Sequence, residues 1–162
     1  MKQLYMIGVG GNTVQSNIEV HDMQFVYAET LEDCYAVLQH RWYGDSLHID
    51  SYVPLQYIDG YELDFSSTSS QQLYMIVYGG YMSSIIDEIH TYHFVLANTP
   101  QEAKAIAKKD MPHFTDMNHV DEIVDVFANA GITCGFRSST KTFHDNILNH
   151  TFIKLQKRSS QS

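Results

Sequence analysis

The feature that most constrains this chain is that it aligns with itself. An offset of 69 positions lays residues 4–44 on residues 73–113 without a gap. Leu4-Tyr-Met-Ile-Gly-Val-Gly-Gly11 falls on Leu73-Tyr-Met-Ile-Val-Tyr-Gly-Gly80, Glu19 and His21 on Glu88 and His90, Phe25-Val26 on Phe94-Val95, and Thr30 on Thr99. After two inserted residues the register resumes, with His48 and Asp50 on His119 and Asp121, Val53 on Val124, Gly60 on Gly131 and Phe65 on Phe136. Matches spread over that length in one register imply the copying of one supersecondary unit. The period is too long, and two copies too few, for a solenoid array. The boundaries that follow are a first repeat over residues 1–65, a polar linker over 66–71, a second repeat over 72–136, and an extension over 137–162 with a strand near 150–155. At 162 residues the whole fits one compact domain with one shared core.

Local patterns give each repeat the order β-β-α-β-β. Residues 3–9 are apolar and β-rich, and Gly10-Gly11-Asn12 supplies turn chemistry, so the first strand is expected to end there. Residues 17–28 alternate as a second strand, with Asn17, Glu19 and His21 on one face. Thr30 is a good N-cap for a helix that Gly44 should stop. The second copy repeats this with Thr99 as cap, Pro100 at the first helical position and Glu102 completing a capping box, before Pro112 closes the helix. A third strand is expected over 47–58, then an Asp59-Gly60 hairpin into 61–65; the second copy offers a turn at 129–131 and a strand over 132–136. The fold class read from this is α+β, two tandem β-β-α-β-β units about an approximate two-fold axis. A helix between strands two and three makes those strands parallel if they share a sheet, so a mixed sheet, or two sheets, with one helix per repeat is expected.

Composition narrows the function classes. A net charge of −9 and a pI near 5.3 argue against a nucleic-acid surface, which concentrates Lys and Arg on one face. The short basic run Lys154 to Arg158 reads as a solvated chain end. Cys34 and Cys134 lack Cys-x-x-Cys spacing and read as buried thiols of a reducing cytosol. No apolar stretch approaches the roughly 20 residues of a membrane helix. The expectation is a cytoplasmic protein that engages neither nucleic acid nor membrane, and a homo-oligomer, given its strand- and tyrosine-rich composition.

The repeat preserves polar pairs spaced i, i+2 on strands: Glu19/His21 with Glu88/His90, and His48/Asp50 with His119/Asp121. A period of two puts both members of a pair on one face, which is how a sheet presents imidazole and carboxylate to one ion or one substrate. If the second and third strands are neighbours, the pairs within a half meet. Such ligation suits zinc, manganese or iron, and the same groups serve as general base and orienting partner. Spacing alone ranks the bland reading ahead, because histidine–carboxylate pairs across a sheet are ordinary structural contacts that duplication copies regardless. No cofactor is required by the sequence; a divalent metal is compatible with it. The Gly-Gly pairs open no helix and lack phosphate-loop spacing, so they read as hairpin or bulge glycines. Tyr5, Tyr27, Tyr43, Tyr52, Tyr57 and Tyr61 read as packing residues ahead of a ligand groove or an interface, and His144-Asp145-Asn146 and Asn149-His150 as turn caps ahead of members of a site.

In sequence order, Gly10-Gly11, Asn17-Ile-Glu-Val-His-Asp22, Glu32-Asp33, Trp42-Tyr-Gly44, His48-Ile-Asp50 and Asp59-Gly-Tyr61 resemble the bacterial domain-of-unknown-function 1543 family. The likeness covers most of the chain. The second copy departs from it, with Thr91 in place of Asp22, Met111-Pro112-His113 in place of Trp42-Tyr43-Gly44 and Asn129-Ala130 in place of Ile58-Asp59. This places an intact site, with Glu19, His21, Asp22, His48 and Asp50 as candidates, in the first half. The resemblance implies a small cytosolic bacterial protein and brings no activity or catalytic residues. The sequence therefore leaves three functions in contention: a small binding or interaction module, a metal-assisted hydrolase or isomerase built on the histidine–carboxylate cluster, and a purely structural or regulatory partner of another bacterial protein.

Overall fold

The structure, a computed structural model, describes residues 1–113 and 116–155. It is an α+β protein with strands β1 (Gln3–Gly11), β2 (Val20–Ala28), β3 (Leu47–Leu55), β4 (Tyr57–Ile58), β5 (Tyr61–Asp64), β6 (Gln72–Tyr81), β7 (Ile89–Ala97), β8 (Asp116–Asp125), β9 (Gly135–Ser138) and β10 (Asn149–Leu155). Its α-helices are α1 (Tyr35–Arg41), α2 (Pro100–Lys109) and α3 (Val126–Ala130). The strands form three sheets, of orders β10-β3-β1-β2, β4-β5-β9 and β7-β6-β8. Contacts divide the chain into two units. One holds Met1–Leu63, Ala130–Ile132 and the chain from Arg137 onward; the other holds Asp64–Asn129 and Thr133–Phe136.

In the first unit β1 is central. It pairs antiparallel with β2 on one side and β3 on the other, and β10 adds antiparallel to the outer edge of β3. The expected parallel pairing of the second and third strands does not occur. Those strands do run in the same direction, as a helical crossover requires, but β1 lies between them, so every ladder is antiparallel. Alternation along β1 sends Tyr5, Ile7 and Val9 to the face that α1 covers, where they pack with Val26, Cys34, Leu38 and Ile49. Full burial of such aliphatic side chains contributes about 1.5–3 kcal/mol each.

The second unit has β6 between β7 and β8, again antiparallel. Tyr74, Ile76 and Tyr78 pack against Ala103 and Ala107 of α2, and the Tyr78 hydroxyl donates to the Ala107 carbonyl at 2.9 Å. Thr99 caps α2 as expected, its Oγ1 accepting from the Glu102 amide at 3.1 Å. The Glu102 carboxylate instead reaches one residue further back, to the Asn98 amide at 2.8 Å.

Several sequence boundaries shift for identifiable reasons. Strand β1 runs on through Gly10 and Gly11, so this pair is strand rather than turn. Thr13 and Ser16 close the turn instead, each hydroxyl accepting from the other's amide, which delays β2 to Val20. Thr30 and Asp33 cap each other, but the first turn is a 3-10 segment, Glu32–Cys34, and α1 ends at Arg41 before Gly44 is reached. Trp42 leaves the helix in an extended conformation and donates through Nε1 to the Ser46 carbonyl at 2.5 Å. The expected third strand breaks at Gln56, where Asn146 Oδ1 accepts from the amides of Gln56 and Tyr57 at 2.8 and 2.9 Å. Gly60 adopts φ +85° in the predicted hairpin between β4 and β5. In the second unit the residues after β8 coil into α3, and the next strand is β9, not 132–136. The strand expected near 150–155 is β10, while the end of the basic run, Lys157 and Arg158, lies outside the described residues.

Both thiols are buried. Burial, reinforced by Asp33 and Glu32, pushes Cys34 up to about 12, and burial pushes Cys134 up to about 11. Native protein at pH 8 should therefore resist a thiol reagent that labels it fully in denaturant. The unfolded thiols ionise near 9.0 while the folded ones stay protonated, so the folded form binds more protons there. Stability should fall as pH rises from about 9 toward 12, which alkaline urea melts would read.

Candidate functional site

Neighbouring strands lie roughly 4.8 Å apart, so residues on the two strands flanking a central one sit roughly 9–10 Å from each other. Their side chains meet only where the central strand offers no obstruction. In the first unit Gly10 pairs with His21 of β2 and with His48 of β3. A Cβ on Gly10 would stand 2.9 Å from His21 Cδ2, 2.9 Å from His48 Nε2 and 3.0 Å from Asp50 Oδ2. The glycine is the floor over which two imidazoles and a carboxylate converge. The turn reading of this glycine is overturned, since the strand continues through it and what matters is its missing side chain.

Asp50 arrives by a second device. Val9 pairs with Ile49 and Gly8 with Ser51, so Asp50 is the extra residue of a β-bulge, an irregularity that re-aims a side chain. Glu19, one residue before β2, completes the set. His48 Nε2 lies 3.1 Å from Asp50 Oδ1 and 3.5 Å from Glu19 Oε2, and His21 Nε2 lies 3.7 Å from each carboxylate. His48 is only 5% exposed, and the Phe152 ring from β10 covers its imidazole at 4.6 Å between centroids. Its Nε2 is the buried side-chain polar atom without a hydrogen bond among the described residues. Asp50 is near enough to accept but lies off the line such a bond needs. Asp22 is not part of the cluster. Its carboxylate accepts from the Met23 amide and the Gln24 side chain, so Thr91 at the matching position removes no cluster member.

The second unit repeats the arrangement. Gly79 pairs with His90 of β7 and His119 of β8, and a Cβ there would stand 2.6 Å from Glu88 Oε1 and 2.8 Å from His119 Nε2. Val77 pairs with Glu122 and Tyr78 with Val120, leaving Asp121 as the bulged residue. His90 Nε2 lies 3.2 Å from both Glu88 Oε2 and Asp121 Oδ2, while His119 Nε2 lies 2.9 Å from Glu88 Oε1 and 3.9 Å from Asp121 Oδ1. Donor atoms of Glu88, His90 and Asp121 all fall within 4.8 Å of one another, so this cluster is compact despite the sequence departures around it. His119 Nδ1 lies 2.8 Å from the Met117 carbonyl, which only accepts, so Nδ1 donates there and Nε2 is the ring nitrogen that faces the cluster. Met117 takes φ +50° to present that carbonyl.

Each cluster joins two carboxylates to two imidazoles. Among the described residues no lysine or arginine lies within ion-pair distance of Glu19, Asp50, Glu88 or Asp121. The carboxylates are unpaired by any fixed positive charge and the imidazole Nε2 atoms converge on them, a donor set of the kind that divalent cations take. Sequence reasoning did not find Phe152 or Met117: neither has a counterpart signal in the repeat, and the two contacts depend on strand pairing and on one backbone carbonyl.

Residues 16–65, which contain Glu19, His21, His48 and Asp50, match the family model described as Domain of Unknown Function (DUF1543). This segment belongs to the DUF1543 family. The DUF1543 match supports the resemblance read from the ordered motifs and assigns no chemistry. No functionally curated protein matches the chain. Among solved structures, the crystal structure of protein Il1583 from Idiomarina loihiensis is similar over 98% of this chain and 100% of that one, with a TM-score of 0.66 and 23% identity. At 23% identity that similarity shows the fold alone.

Proposed function

We propose that this DUF1543 protein binds divalent transition-metal ions, of the zinc, manganese or iron type, at Glu19/His21/His48/Asp50 and at Glu88/His90/His119/Asp121. The observation that carries the reading is His48 Nε2, buried, unpaired by any aligned hydrogen bond, and aimed at two carboxylates. In a purely structural histidine–carboxylate pair the ring would donate in line; a buried donor left without a partner costs about 1–3 kcal/mol. An ion removes that cost. Ligand bonds of about 2.0–2.2 Å in a tetrahedral site place donor atoms about 3.3–3.6 Å apart. The nitrogen–oxygen separations of 2.9–3.9 Å in the two clusters bracket that edge length.

We also read the two units as copies of one ancestral β-β-α-β element. The recurrence in each of a central glycine, two flanking histidines and a bulged aspartate supports that origin. A binding protein is the first reading. Metal-assisted hydrolysis is the second, favoured by the solvent access of His21, at 63% side-chain exposure, and of His119, at 41%, which leaves room for a bound water and a carboxylate base.

Protein purified without a histidine tag and loaded with Zn²⁺, Mn²⁺ or Fe²⁺ should retain up to two equivalents by elemental analysis. Loading at about 100 times the dissociation constant should add about 2.7 kcal/mol for each site filled, or roughly 5–10 °C in Tm per site for a chain of this size. Absence of bound ion under all three loadings removes both readings.

A further inference from the structure

The first unit carries a cavity that shares no residue with either cluster. Its volume is about 670 Å³, and Tyr5, Glu29, Glu32, Tyr52, Pro54 and Ile153 are among the residues around it. Small-molecule sites commonly span roughly 300–1,000 Å³. Three observations define what such a space would accept. First, its lining includes two glutamates, one histidine, His150, and no lysine or arginine, and neither Glu29 nor Glu32 has an ion pair or side-chain hydrogen bond among the described residues. Second, Tyr5 lines the space, is 6% exposed and makes no side-chain hydrogen bond among the described residues. Third, the Tyr52 ring stands 6.4 Å from that of Tyr5 and tilted by 54°, beside the apolar Pro54 and Ile153.

Carboxylates attract a cation and repel an anion. Aromatic faces add to that attraction, and a neutral phenol oxygen accepts a hydrogen bond from an ammonium. We propose that this cavity binds a small organic cation, an ammonium or guanidinium group on an apolar body, with Glu29 and Glu32 holding the charge and Tyr5 and Tyr52 the body. Anions are excluded by the same two carboxylates. Because the cavity and the clusters have no residue in common, the proposal stands whether or not the clusters take metal.

The test titrates the full chain with 2-phenylethylamine, 2-phenylethanol and 3-phenylpropionate, following amide shifts by NMR. The amine should move the resonances of Tyr5, Glu32 and Tyr52 and bind at least about tenfold more tightly than the alcohol or the acid. The double variant E29Q/E32Q, which alters exposed positions and should keep its melting temperature, should lose that preference. Equal binding of the alcohol, equal binding by the double variant, or no shift with the amine at millimolar concentration overturns the proposal.

Discussion

Gly79→Ala should empty the second cluster while leaving the protein folded. The added methyl would stand 2.6 Å from Glu88 Oε1 and 2.8 Å from His119 Nε2, closer than non-bonded carbon tolerates. Both obstacles are ends of side chains, so the sheet need not move; the ligands must spread instead. Disturbing the surroundings of a metal site commonly costs 10–100-fold in affinity, and here the ligands themselves are displaced, so a loss of at least about 100-fold is expected. Elemental analysis should fall by one equivalent per chain. Gly10→Ala should do the same at the first cluster, where the methyl would stand 2.9 Å from His48 Nε2. Full retention of metal in both variants would show that the ion, if bound, sits elsewhere.

Gly11→Ala should act on stability, not on metal. A Cβ at Gly11 would overlap the Ser46 carbonyl oxygen and stand 3.2 Å from Trp42 Cζ2. Here the obstacle is backbone, in a segment held from three sides. The Asn12 carbonyl accepts from the Asp45 amide at 2.7 Å, Ser46 Oγ accepts from the Asn12 amide at 2.9 Å, and the Ser46 carbonyl accepts from Trp42 Nε1. Overpacking typically costs about 1–3 kcal/mol, and each hydrogen bond broken to relieve it about 0.5–1.5 kcal/mol. A destabilisation of about 2–5 kcal/mol follows, read as a drop of roughly 5–15 °C in thermal melts. A variant melting with the parent would mean that the loop after α1 yields freely. Two adjacent glycines thus answer to different neighbours: one to side chains in the cluster, the other to a carbonyl.

The comparison between pattern and coordinates turns on those glycines. Apolar alternation, Thr99-Pro100 at a helix start and Asp59-Gly60 at a hairpin were legible because each depends on a few adjacent residues. So was the repetition of Glu19/His21 and His48/Asp50 in the second half. Strand neighbours were not, because periodicity reports which face a residue takes and nothing about what lies beside it. The pairs were expected to meet by adjacency of the second and third strands; they meet across β1, where Gly10 has no side chain. A glycine pair carries the same sequence signal in a turn as beneath a cluster. The bulges at Asp50 and Asp121 are likewise silent, since a strand with one extra residue reads like any other until its partner is known. The second half diverged where local propensity changed, with Val126 to Ala130 coiling into α3 after β8.

The bulges also separate chemistry from architecture. Asp50 and Asp121 stand outside the ladder, pairing with no residue of the central strand. Exchanging either for cysteine should leave every rung of the sheet in place while softening the donor, and for asparagine should do so while removing its charge. Under the proposed metal reading, ion preference is therefore open to change by single substitutions at that corner, without renegotiating how the strands are joined.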